Sequence, residues 1–149
     1  GLLKKLFEIE IPEITSGIIE IKSVAREAGS RAKVAVYSAV PNIDTVGACI
    51  GQRGARIKNI VDELNGERID IVEWKPVVEE FVSAVLSPAV VSNVTILEDG
   101  TARVLVEPSQ LSLAIGKNGQ NARLAARLTG MRVDIKVIDS EALKEEENE

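Results

Sequence analysis

Apolar residues change their spacing along this chain in an order that is later repeated. Leu2, Leu3, Leu6 and Phe7 share one face at helical spacing, so Gly1 to Phe7 reads as an amphipathic helix or the end of one. Glu8 to Gly17, punctuated by Pro12 and Gly17, reads as irregular chain or a short helical turn. The period then drops to two. Ile18 to Val24 and Lys33 to Tyr37 alternate as strands, with a hairpin-type connection over Glu27 to Arg31. Asp44 to Ile50 is a short helical segment, and Ile57, Ile60, Val61 and Leu64 mark a second one that Gly66 stops. Arg68 to Trp74 is the strand that closes this first pass.

From Pro76 the order begins again. A helix runs through Val77, Phe81, Val82, Val85 and Leu86 and ends before Pro88, because proline suits a first helical turn and resists an interior one. Val90 to Leu97 and Thr101 to Glu107 form a hairpin around Asp99-Gly100. A short helical segment follows over Ser109 to Ile115. Ala122, Ala125 and Ala126 then hold a helix face that Gly130 stops, and Arg132 to Ile138 is the last strand. Each pass reads α-β-β-α-α-β. The fold class is therefore α+β, in two tandem units. The boundaries fall at 1–75 for the first unit and 76–139 for the second. Residues 140–149 form an acidic tail with little apolar content, expected to be disordered. Lys75-Pro76 is too short for a flexible linker, so the units are expected to hold a fixed relation and present one extended track.

The repeat is sharpest where two short helices meet. Ile50-Gly51-Gln52-Arg53-Gly54 returns 65 positions later as Ile115-Gly116-Lys117-Asn118-Gly119. Downstream, Ile69-Asp70-Ile71 returns as Val133-Asp134-Ile135 at an offset of 64. A self-match of this length marks two related structural units. Two glycines flanking two polar residues make a turn whose backbone no side chain shields at either end. Free N–H groups at the start of the following helix, with Arg53 or Lys117 in the turn, suit a phosphate backbone passing close by. A lone GxxG would carry almost no information. Two in one frame, each preceded by isoleucine and followed by helix, glycine and an apolar-Asp-apolar strand, carry much more.

Charge supports this once its location is considered. The net charge is −5, and six acids against one lysine from Asp139 to Glu149 account for all of it. Between Thr45 and Val61 the only charges are Arg53, Arg56 and Lys58; between Pro108 and Val133 they are Lys117, Arg123, Arg127 and Arg132. Each glycine turn thus lies in an exclusively basic window. Arg26, Arg31 and Lys33 also make the first hairpin tip basic, either as a solvated turn or as a nucleic-acid contact.

Catalysis is poorly supplied. There is no histidine, and the single cysteine, Cys49, has no imidazole to activate it. A transition-metal site would lack its usual ligands, and the glycine spacing fits neither GxxxxGK[ST] nor GxGxxG. No catalytic residue, metal or cofactor is therefore assigned, and the reading is not an enzyme. Asp70 and Asp134 recur at one strand position per unit, which is repeat architecture and not a shared site. Aromatics make up only 3% of residues, which argues against recognition by stacking, and Trp74 reads as an interface or core residue. Forty-five per cent hydrophobic residues suffice for folded cores. No run is long enough to span a bilayer and no signal-peptide pattern is present, so no membrane association and a cytoplasmic location are expected. The opening starts mid-pattern and without Met, as an excised fragment would.

These loops and their surroundings resemble the GXXG elements of tandem KH domains, which clamp about four nucleotides of single-stranded nucleic acid. The α-β-β-α-α-β order resembles the type II arrangement, which implies for each unit a three-stranded sheet with helices packed on one face. Val46 to Gly51, Arg68 to Trp74, and Gln110 to Lys117 through Leu128-Thr129-Gly130 resemble the KH pair of the NusA family of bacterial transcription factors. The resemblance covers about Phe7 to Val137. It implies single-stranded RNA held in extended form, within a monomeric factor that meets nascent RNA, RNA polymerase and other Nus factors to modulate pausing, termination and antitermination. The RNA-binding candidates are Gly51, Gln52, Arg53, Gly54, Arg56 and Lys58 in the first unit. Gly116, Lys117, Asn118, Gly119, Gln120, Asn121 and Arg123 are their counterparts in the second. Ile50, Ile57, Ile71, Ile115, Ala122 and Ile135 are candidates for the aliphatic groove under the bases. Gln52 stands where the family often has lysine or proline, which weakens phosphate contact at the first loop. Two other readings remain open: a KH module of a ribosome-associated factor, and a protein-docking module without RNA binding.

Overall fold

A computed structural model describes residues 1–138; the expectation of a disordered tail over 140–149 lies outside the described residues. One compact unit ends at Pro76 and the next begins at Val77. The first contains α1 (Leu2–Glu10), α2 (Pro12–Thr15), β1 (Glu20–Glu27), β2 (Arg31–Tyr37), α3 (Thr45–Ile50), α4 (Ala55–Glu63) and β3 (Arg68–Glu73). The second contains α5 (Val78–Val85), β4 (Asn93–Ile96), β5 (Ala102–Val106), α6 (Leu111–Ile115), α7 (Gln120–Thr129) and β6 (Val133–Val137). The α+β class and the repeated element order are as the sequence predicts.

Each sheet has its middle strand in the centre, in the orders β1-β2-β3 and β4-β5-β6. The first two strands pair antiparallel through a short connection, and the third runs parallel to the second. A parallel partner cannot be reached by a tight turn. The crossover is the helix–turn–helix of α3 and α4, or of α6 and α7, so the glycine turn lies at the tip of an obligatory connection.

Period-two alternation decides which side of β2 receives the helices. Ala32, Val34 and Val36 are fully buried and cluster with Leu3, Phe7 and Ile11 from the N-terminal segment and with Cys49, Ile60 and Leu64 from the crossover. Burying side chains of the size of Phe7 or Ile60 contributes about 1.5–3 kcal/mol each. In the second unit Val104, Val106, Ala114, Leu124, Ala125, Val82 and Val85 are buried in the same way.

Several boundaries differ from the sequence reading, among them the start of β4, at Asn93 and not Val90. α1 continues past Phe7 to Glu10, and Ile11 breaks it at φ −119°, extended as a residue before proline must be. Pro12 then restarts helix as the first residue of α2, where its missing N–H costs nothing. β1 begins two residues later than predicted and runs on to Glu27, following an irregularity in register between Ile21 and Ser23.

The cations of the basic hairpin tip have acidic partners in the fold. Arg26 donates from Nε and Nη2 to the Glu67 carboxylate at 2.8 and 3.0 Å. Arg31 and Lys33 both reach Asp70, at 2.7 and 2.9 Å. Parallel pairing places Lys33 opposite Asp70 in register, so Asp70 on β3 and Glu67 just before it engage these three cations. These ion pairs brace the sheet.

Candidate nucleic-acid interface

The two glycine turns share a backbone to within a few degrees. Gly51 has φ 82° and ψ 171°, and Gly116 has φ 79° and ψ 170°, a region essentially closed to any other residue. Two positions on, Arg53 (φ 56°, ψ 27°) and Asn118 (φ 56°, ψ 26°) are left-handed, which asparagine tolerates better than arginine. Gly54 and Gly119 are left-handed as well, at φ 73° and 76°.

The first and last glycines of each turn are required for different reasons. A Cβ on Gly51 would lie 2.9 Å from the Arg56 amide nitrogen, and one on Gly116 would lie 2.7 Å from that of Asn121. These glycines let the turn close against the following helix. A Cβ on Gly54 would meet nothing within 4 Å, and one on Gly119 only Arg123 Nη1 at 3.6 Å. Those glycines leave the outer surface bare.

Within each turn the last glycine amide donates to the first glycine carbonyl at 3.1 Å. The N–H groups just before it, of Gln52 and Arg53 or of Lys117 and Asn118, stand at the head of a helical stretch, where no preceding turn supplies acceptors. They point the positive end of α4 or α7 outward. Gln52, Arg53, Lys58, Lys117, Asn118 and Arg123 are exposed around them. Arg123 Nη1 donates to the Asn118 carbonyl at 2.9 Å, which ties this cation to the second turn. Gln120 is half-buried at the start of α7.

Beside each turn an isoleucine faces solvent more than its type normally does. Ile50 is 36% and Ile115 38% exposed, although each ends an otherwise apolar helix. Ile57, Ile71, Ala122 and Ile135 are half-buried, and Ile57 and Ile71 also pack against the first core. Ile71 and Ile135 lie on β3 and β6, each an edge strand whose outer side pairs with no strand among the described residues. In the first unit Gly47, Ala48, Gly51, Gln52, Ala55 and Arg56 surround an open hollow of about 430 Å³.

Two candidates need revision. Asn121 is fully buried; its Nδ2 donates to the carbonyls of Leu86 and Ala114, each at 3.0 Å. Its side chain cannot touch a ligand, and it instead holds the turn against α5 and α6. Arg56, in the same frame, is partly committed. Its Nη1 donates to Glu13 Oε1 and Oε2 at 3.1 and 2.9 Å and to the Ala48 carbonyl at 2.8 Å. That bond holds the Glu13 carboxyl below its ordinary value, against an opposing effect of burial.

Glu13 escaped the sequence reading because its partner is 43 residues away. Asp44 was within reach of it: this acid precedes an apolar helix, and its Oδ1 accepts from the Gly47 amide at 3.0 Å as an N-cap. Cys49 is buried, and burial first and the nearby Glu13 charge second push its thiol up to about 11, away from the thiolate. Trp74 meets Tyr37 edge-on at 5.3 Å between ring centroids, with Lys22 Nζ 4.9 Å from the Trp74 ring.

Comparison with known proteins agrees with this geometry. Residues 1–74 match the NusA-like first KH domain and residues 78–143 the NusA-like second KH domain. The chain is 56% identical over 137 residues to the transcription termination/antitermination protein NusA of Halalkalibacterium halodurans, covering 91% of this chain and 36% of that protein. It is 56% identical to that of Bacillus subtilis, covering 91% and 37%. The chain thus spans little more than a third of the length of these relatives. The crystal structure of APE1850 has the same fold, with a TM-score of 0.66 at 21% identity over 90% of this chain and 95% of that one.

Proposed function

Since this chain belongs to the NusA-like KH family, with a first and a second domain of that kind in tandem, we propose that it binds single-stranded RNA in extended form across both units. It does so without catalysis, as part of a cytoplasmic, monomeric transcription factor that meets RNA polymerase and other Nus factors to modulate pausing, termination and antitermination. The observation that carries this reading is the duplicated turn. Two backbones of nearly identical dihedrals, bare at the outer glycine and flanked by exposed cations, stand at helix N-termini beside a half-exposed isoleucine. A phosphate group lies over Gly51 to Gly54, or over Gly116 to Gly119, where N–H groups and Arg53 or Lys117 meet it. The neighbouring base rests on Ile50 and Ile57, or on Ile115 and Ala122. Its edge hydrogen-bonds the outer backbone side of β3 or β6 near Ile71 or Ile135.

Salt titration tests this reading. With ~4 cations on phosphates, log affinity against log salt should slope near −3, at about −0.7 per single-strand contact. Arg53→Ala with Lys117→Ala should weaken binding by at least tenfold and flatten the slope by about 1.4. Unchanged affinity for RNA in that double variant would turn the assignment towards a protein-docking module.

A further inference from the structure

The Arg56 guanidinium is used on one side only. All three of its hydrogen bonds leave from Nη1: two to Glu13 and one to the Ala48 carbonyl. Its Nε and Nη2, the edge that reads phosphate oxygens in bidentate fashion, have no acceptor among the described residues. The side chain stays about a third exposed and lines the hollow bordered by Gly51 and Gln52. A free arginine would lose rotamer entropy on meeting a ligand, whereas this one is already held at its far end.

We infer that Glu13 is a positioning residue that presents the Nε–Nη2 edge of Arg56 to one RNA phosphate beside the first turn. The inference rests on the RNA-binding reading above and deepens it. It makes good the weakness of this turn, where Gln52 stands opposite Lys117 of the second unit. It is confined to the first unit, because the second has Asn121 in that frame, neutral and buried.

The test is binding of a short fluorescein-labelled single-stranded oligoribonucleotide of mixed sequence to the full chain over a salt series. Glu13→Gln keeps an acceptor for Nη1 and removes the charge, so it should bind at least as tightly as the parent. Glu13→Ala lets Arg56 swing and should bind about tenfold more weakly than Glu13→Gln. Arg56→Ala should lower the magnitude of the salt slope by about 0.7, one phosphate. Adding Glu13→Ala to Arg56→Ala should cost nothing further.

If Glu13→Ala binds as tightly as Glu13→Gln or tighter, Glu13 competes with RNA and the inference falls. If Arg56→Ala lowers the melting temperature but leaves slope and affinity unchanged well below melting, Arg56 is a brace only and the inference falls, while the RNA-binding reading stands. If the parent chain binds no single-stranded RNA at low salt, both fall.

Discussion

The two units close the same turn with different chemistry. In the first, Arg56 ties α4 to the Ala48 carbonyl and to a carboxylate on α2, with both side chains roughly 30% exposed. In the second, Asn121 ties α7 to the carbonyls of Leu86 and Ala114 with no exposure at all. The backbone between the paired glycines hardly differs. The turn is thus dictated by its glycines, and the residue that secures it is free to vary. A solvated ion pair leaves spare donors at the surface; a buried amide gives rigidity and no reach.

The sharpest way to break this comparison is at the inner glycine. Gly116→Ala puts a methyl 2.7 Å from the Asn121 amide nitrogen at φ 79°. It should destabilise the second unit by about 3 kcal/mol or more, measured by urea unfolding. Gly119→Ala, in open space, should cost only about 1 kcal/mol. Equal losses at the two positions would mean that backbone conformation alone, and not contact with the helix, demands the first glycine.

Next comes the tie itself. Asn121→Ala removes the side-chain donor to two carbonyls, of which that of Leu86 keeps the Ala89 amide at 3.0 Å, and Asn121 Oδ1 already lacks a partner among the described residues. The loss should be about 2 kcal/mol. Arg56→Ala, a half-exposed pair, should cost about 1 kcal/mol or less in the first unit. Fluorescence of Trp74, the only tryptophan, follows that unit selectively.

A smaller difference should appear with pH. Glu67 is buried and accepts from Arg26 and from the Gly29 amide, and the Arg26 hydrogen bond first holds its carboxyl below the ordinary value of 4.5. A carboxyl depressed in the folded state is protonated more readily in the unfolded chain. Its contribution is therefore complete above 4.5 and declines as pH falls through the lowered value. Met131 stands at the corresponding place in the second unit. Acid unfolding followed by Trp74 fluorescence should steepen below pH 4.5 in the parent and flatten in Glu67→Gln; equal slopes would remove Glu67 from the account.

Much of this was legible from local pattern. Periods of 3.6 and 2, prolines at first turns and glycines at stops act over a few residues, so element order, sheet class and both turns follow from the chain read alone. The exposed cations Arg53 and Lys117 belong with them, since a turn at the tip of a crossover has nothing to cover it. The roles of the other charges needed the fold. Arg26, Arg31 and Lys33 look free in sequence and meet Glu67 or Asp70 only when β3 pairs parallel to β2, 37 to 41 residues on. Asn121 looks like a polar loop residue until the end of α5 brings the Leu86 carbonyl over it. The reason is one of range. Backbone preference is settled by neighbours in sequence, whereas the partner of a charge or an amide is settled by whichever distant segment packing delivers to it.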